Sequence, residues 1–256
     1  MRRPRRPLVD ARDVIRDAAK PMDLTTRRAF LKHAAGLGTL TFLTGCDVVD
    51  SSSAESALET MSRFNDRVQA ALFNPHKLAP EYPSSWVMRP FPFNGFYSAD
   101  QAPEVDPATY KLELAGKIAD TRPWTLEQLY ALPQTTQITR HICVEGWSAI
   151  GSWTGARFSD FLQRIGADLK APYVTLRCAD GYFTSIDMPT ALHPQTQLSF
   201  AFDNEILPRI YGFPMKLRMP TKLGFKNPKH ITAIEVTDRF QGGYWENQGY
   251  NWFSGL

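Results

Sequence analysis

One cysteine sits among side chains able to do chemistry. Cys143 lies in Arg140-His141-Ile142-Cys143-Val144-Glu145-Gly146-Trp147-Ser148, with Trp153-Thr154-Gly155 close behind. A thiolate is a soft metal ligand, and a carboxylate stands two residues from it. If the segment continues as a strand, Glu145 projects to the same face as Cys143 and can serve as a proton donor. An ion pair between Glu145 and Arg140 is the competing reading. For Cys143 itself, the ordinary alternatives are a small buried hydrophobe or a disulfide with Cys178.

The elements that must position this thiol follow from periodicity. Residues 137–142 alternate apolar and polar, as a half-buried strand would, and Gly146 ends the run. The thiol is thus expected at a strand end, where sites sit on a rigid scaffold. Upstream, Ser53 caps a predicted helix ended by Pro75, with Leu58, Met61, Phe64, Val68 and Leu72 at helical spacing. That stripe is expected to be a packing face. Residues 80–92 are proline-rich and extended. Thr125 with Gln128 forms a capping box for a short helix, and 157–165 is another. Residues 110–114, 173–178, 182–188, 198–202, 215–219 and 230–237 are predicted strands. Many strands with few short helices predict an α+β fold with mixed β-sheets. No internal repeat stands out.

The run Cys143-Val144-Glu145-Gly146-Trp147-Ser148 resembles the cofactor loop of the sulfite-oxidase-type molybdenum enzymes. Within them it is most similar to the exported single-domain branch that includes periplasmic protein-methionine-sulfoxide reductases. The resemblance covers about residue 65 to the C-terminus and implies a molybdopterin-binding domain over 93–256. It implies one molybdenum held by a single pterin dithiolene, with Cys143 as the protein's metal ligand. Phe93-Asn94-Gly95-Phe96-Tyr97-Ser98 falls where the family has an Asn-Asn-Phe-Tyr-Glu run against the pterin, so Asn94, Tyr97 and Ser98 are candidate contacts. Gly95 and Ser98 depart from that pattern. Cys178 stands where relatives carry a pterin-contacting Thr. A third block runs from Tyr211-Gly212-Phe213-Pro214-Met215-Lys216 through Pro220 to Lys222-Leu223-Gly224-Phe225-Lys226-Asn227-Pro228-Lys229. It is similar to the family's phosphate-binding segment and makes Tyr211, Lys216, Asn227, Pro228 and Lys229 candidates. Lysines around a glycine-containing loop supply the cations and N–H donors that a phosphate needs. Lys216 replaces the family's Arg, keeping charge and losing the bidentate fork.

The N-terminus addresses the chain. Thr26-Arg27-Arg28-Ala29-Phe30-Leu31-Lys32 matches the twin-arginine export pattern. The apolar stretch that follows is too short to span a bilayer, which needs about 20 residues. It ends in Leu43-Thr44-Gly45-Cys46, a lipoprotein-like box with Cys46 as the acylated residue. Residues 1–45 are read as this signal, started from Met1 or Met22, and 46–92 as tether, helix and extended wrap. Ten Lys and Arg against four Asp give residues 1–45 a charge of +6; the whole chain is +3, so residues from Cys46 onward carry −3. The basicity belongs to the signal, which removes the electrostatic case for nucleic acid.

The resemblance implies oxygen-atom transfer in the periplasm. No Cys-x-x-Cys-His run occurs and the five histidines are scattered, so haem is not expected on this chain. Electrons would come from a separate membrane haem or quinol-linked subunit. The expected reaction is reduction of small-molecule or protein sulfoxides. Oxidation of sulfite is the alternative, and a cofactor-free lipoprotein that binds a partner is the reading from another class.

Overall fold

The computed structural model describes residues 51–256. The twin-arginine run and Cys46 lie outside the described residues. The elements are α1 (Ser51–Leu72), β1 (Lys111–Gly116), β2 (Trp124–Thr125), α2 (Leu126–Tyr130), β3 (Gln134–Ile142), β4 (Ser148–Arg157), α3 (Phe158–Arg164), β5 (Tyr173–Cys178), β6 (Phe183–Asp187), α4 (Met188–Ala191), β7 (Gln197–Phe202), β8 (Glu205–Ile206), β9 (Lys216–Arg218) and β10 (Ile231–Thr237). Among the described residues, no helix is long and apolar enough to cross a membrane.

Two sheets carry the architecture. The first runs β2-β1-β10-β5-β6, with β10 parallel to β1 and antiparallel to β5; the second runs β3-β4-β7-β8, with β9 also paired to β7. This is the mixed α+β arrangement expected. The first sheet buries Leu112, Leu114, Val174, Leu176, Ile234 and Val236. α3 packs Phe158, Phe161, Leu162 and Ile165 into the same core at helical spacing. The Thr125 box forms as expected: its hydroxyl accepts from the Gln128 N–H, and the Gln128 amide oxygen accepts from the Thr125 N–H. The proline-rich wrap lies along the β3–β4 pair, Tyr82 donating to Ile138 O and Met88 to Ile150 O.

Two expectations are overturned. In β3 the buried residues are Gln137, Thr139 and His141, while Ile138 and Ile142 are only half buried. The alternation is real, but its polar phase points inward. In α1 the stripe read as a packing face points outward: Leu58, Met61, Phe64, Val68 and Leu72 are 39–79% exposed. The inward contacts of that helix are polar. Asp66 accepts the N–H groups of Trp252 and Phe253, and Gln69 accepts that of Gly255.

Candidate active site

Cys143 follows β3 in a tight turn to β4. Its N–H donates to Trp147 O at 2.9 Å, and the Gly146 N–H returns to Cys143 O at 3.2 Å. The thiol opens into a solvent-accessible cleft. Glu145 Oε2 lies 3.7 Å from Cys143 Sγ and accepts the Trp147 indole N–H at 2.9 Å. The carboxylate is therefore held toward the thiol. Arg140 instead lies over the Tyr82 ring. Cys143 and Cys178 are both free thiols, so the disulfide alternative is not formed. Burial pushes the Cys143 thiol above its usual range, and the neighbouring carboxylate adds to that shift.

Three segments complete the cleft. From the segment that follows the wrap come Asn94, Phe96 and Tyr97; from the loop after β5 come Asp180 and Tyr182; from the stretch between β9 and β10 come Gly224, Phe225, Asn227, Pro228 and Lys229. Trp245 and Tyr250 close the far side. Tyr97 Oη donates to Asp180 Oδ2 at 2.9 Å, and Lys229 Nζ donates to Asn94 O at 2.6 Å, tying residues 94–97 to both other walls. Asn227 works on the loop itself: its Oδ1 accepts from Arg218 and from the Met219 N–H, and its amide donates to Leu223 O. Of the residues singled out in the sequence, Ser98, Cys178, Tyr211 and Lys216 are not among those lining the cleft. Ser98 closes a turn with Gln101; Tyr211 donates to Phe91 O at 2.7 Å. Cys178 is buried, which raises its pKa far above normal.

Beneath the cleft floor lies an unusual concentration of charge. Lys216 and Arg218 are fully buried, Lys229 is nearly so, and among the described residues none of the three has a salt-bridge partner. Lys216 rests over the Trp153 ring at 4.7 Å. Desolvation pulls Lys216 well below its normal pKa and holds Lys229 at about 8. His141 is buried with both ring nitrogens unpaired; desolvation and the cations Lys216, Arg218 and Lys229 keep it neutral far below its usual range. His230 Nε2 and Arg218 Nε are likewise unpaired. Gly224 permits this approach, since a Cβ there would sit 2.5 Å from His141 Nε2. Lys222 and Lys226 differ, facing Asp187 and Glu246. The lysine cluster of the sequence thus divides into a site group and a structural group.

This donor set fits a large anionic cofactor. Buried cations without counterions and orphaned imidazole nitrogens are costly unless an anion with acceptors meets them. Among the described residues, no group of three or more His, Cys, Asp or Glu side chains could hold a metal ion. A metal at Cys143 would therefore need ligands from a cofactor, as a dithiolene supplies. Sequence reasoning passed over Asp180, Tyr182 and Arg218 as site residues; for 242–250 the resemblance implies a packing cap near the active site with no chemistry, and Trp245 and Tyr250 of that segment line the cleft. For Asp180 the available signal was an Ala-Asp-Gly turn directly after a strand.

Comparison with known proteins agrees with this geometry. The oxidoreductase molybdopterin binding domain matches residues 99–245. A candidate protein-methionine-sulfoxide reductase subunit, YedZ1 of Azospira oryzae, is 59% identical over 244 residues, spanning 95% of this chain and 93% of that protein. The protein-methionine-sulfoxide reductase catalytic subunit MsrP of Burkholderia mallei is 25% identical over 263 residues, 93% of this chain and 78% of its own. The sulfane dehydrogenase SoxCD of Paracoccus pantotrophus superposes with a TM-score of 0.51 at 20% identity, over 54% of this chain and 40% of that one. At that identity the likeness concerns the fold alone.

Proposed function

The chain belongs to the oxidoreductase molybdopterin-binding-domain family, and from that premise we propose that it reduces sulfoxides at a molybdenum ligated by Cys143. The observation that carries the direction of catalysis is the charge of the cleft wall. Its lining holds one cation, Lys229, against two carboxylates, Glu145 and Asp180, and contains no arginine. A sulfite dianion entering a partly desolvated cleft needs several cations to offset its lost hydration. A neutral sulfoxide needs an apolar rim and a proton donor, and Phe96, Val144 and Tyr250 supply an exposed apolar rim.

In this reading the cofactor phosphate and pterin lie against Lys229, Asn227 and Asn94, with Lys216, Arg218 and His141 behind them. Ser98, Cys178, Tyr211 and Pro228 contribute backbone and packing rather than side-chain donors. When bound, the molybdenum centre supplies two-electron exchange coupled to transfer of one oxygen atom. Glu145, held beside the thiol by Trp147, would pass on one of the two protons that reduction of a sulfoxide to sulfide and water consumes together with two electrons, the other proton coming from solvent. Trp147 keeps that carboxylate aimed inward between turnovers. The names of the Azospira and Burkholderia relatives support a sulfoxide substrate, methionine sulfoxide within a protein among them. The twin-arginine run supports periplasmic export, and Leu43-Thr44-Gly45-Cys46 supports a lipid anchor at Cys46. Electrons then arrive from a separate membrane haem or quinol-linked subunit.

Purified protein from a cofactor-competent host should contain molybdenum and oxidise reduced viologen with methionine sulfoxide or dimethyl sulfoxide. It should turn over sulfite poorly with an artificial acceptor. Robust sulfite turnover without sulfoxide reduction would reverse the direction and leave the cofactor in place. Colourless, metal-free protein from that host would leave only the partner-binding lipoprotein.

A further inference from the structure

Surface helices ordinarily turn their apolar stripe inward. From Leu58 onward α1 does the reverse. Its grip on the body is made by Asp66, Gln69 and the Ser62 carbonyl, which accepts from the Asn251 amide. Leu58, Met61, Phe64, Val68 and Leu72 recur at spacings of three and four, which collects them in a sector of about 120°. A rimmed apolar surface of this kind marks a contact site.

The chemistry of the stripe points to lipid. Protein interfaces are anchored by Trp, Tyr and Arg and carry about one hydrogen bond per 100–200 Å². These five side chains offer no hydrogen-bonding group, and Asn65 is the single polar residue within their sector. Position along the chain points the same way. Leu58 follows Cys46 by twelve residues, and twelve residues reach at most about 40 Å. An acyl group on Cys46 would hold the stripe within that distance of the headgroups. The helix carries Arg63 and Arg67 against Glu55, Glu59 and Asp66, so its charge is close to balanced and the apolar stripe carries the contact.

We propose that the outward stripe of α1 lies in the bilayer interface beside an acylated Cys46, as a second membrane contact of the domain. The inference rests on the exported, lipid-anchored reading given above. Acyl anchoring is strengthened by a second signal of this type. The same helix grips residues 251–255, which directly follow Tyr250 at the cleft rim. Seating the helix on lipid therefore fixes the direction in which the cleft opens relative to the membrane.

The test uses mature, molybdenum-loaded protein carrying Cys46→Ala, so that no acyl chain contributes. It is floated with vesicles of mixed zwitterionic and anionic phospholipid, alone and with Leu58→Ser, Met61→Ser and Phe64→Ser combined. The Cys46→Ala protein should float with the vesicles. The triple substitution should lower partitioning about tenfold or more while viologen-linked turnover in solution is unchanged. Failure of Cys46→Ala to float, or equal flotation of the triple variant, overturns the proposal. So does a dimer in sedimentation that the triple substitution dissociates, which would assign the stripe to a second copy. Flotation only with vesicles carrying native membrane proteins overturns it in favour of a protein partner. If Cys46 is not acylated, wild type and Cys46→Ala float alike and the triple variant still falls, so the two readings fail separately.

Discussion

The first sheet turns Leu114, Leu176, Ile234 and Val236 into its core, whereas the second buries Thr139, His141, Gln197, Lys216 and Arg218. The two are built from the same number of strands, and both gain free energy from apolar burial, at roughly 25 cal/mol per Å², the second through Trp153, Leu198, Phe200 and Leu217. The second spends free energy on desolvated cations and imidazole. That cost is offset by its apolar side chains and by the pairing of β3 with β4 over nine residues, from Gln134↔Ala156 to Ile142↔Ser148. The second sheet thus adds a polar, cationic patch to an ordinary core, and substitutions of that patch and of the first sheet's core should fail differently.

The largest effect should come from Cys143→Ser. Turnover should fall by at least about 10³-fold with loss of molybdenum, while the thermal midpoint of the cofactor-free protein barely moves. A large drop in that midpoint would mean the thiol is core after all. Leu176→Ala should do the opposite, costing about 2–5 kcal/mol in urea unfolding with turnover per folded molecule intact. Next comes Glu145→Gln, for which kcat should fall about 10²-fold with KM little changed and cofactor content normal. A change confined to KM would make Glu145 a binding group.

Two smaller effects sharpen the contrast. Lys216→Met should leave the cofactor-free protein at least as stable, because it removes a desolvated amine whose pKa burial pulls well below normal, and should lower molybdenum retention. Destabilisation would show that the ammonium has a protein partner. Lys229, held at about 8 in the fold against 10.5 ordinarily, should give the cofactor-free protein a pH dependence. Between those values the unfolded chain binds more protons than the folded one, so stability rises with pH across that window. Cofactor affinity should weaken over the same range as the ammonium is lost. Both slopes should flatten in Lys229→Met, measured by thermal melts and molybdenum retention.

Local grammar made much of this molecule legible in the sequence. The Thr125–Gln128 box, the helix over 157–165 and the apolar strands β5 and β10 were readable because their propensities and their burial agree. The Cys143 loop and the 224–229 loop were readable as motifs. β4 escaped, since Ser148-Ala-Ile-Gly-Ser-Trp-Thr-Gly-Ala-Arg157 looks like a loop. Its small residues are a packing requirement: a Cβ on Gly155 would come within 1.9 Å of Leu198 O. The inward phase of β3 and the outward phase of α1 were misread for one shared reason. Apolar-inward logic assumes a face that serves stability, and these two faces belong to a proposed cofactor site and a proposed membrane contact. Arg218 and Lys216 lie in a three-residue strand whose cations are wholly buried, a placement that only the tertiary structure reveals.

The placement of β10 has a consequence for folding. Ile231–Thr237 is the middle strand of the first sheet, pairing with β1 on one side and β5 on the other. Both neighbours precede it in the chain, so the sheet becomes continuous only when this later segment has inserted between strands laid down earlier, a closure of long sequence separation. Trp245 and Tyr250 follow β10 in the chain, so the wall they form is tied to the slowest kind of contact in the domain.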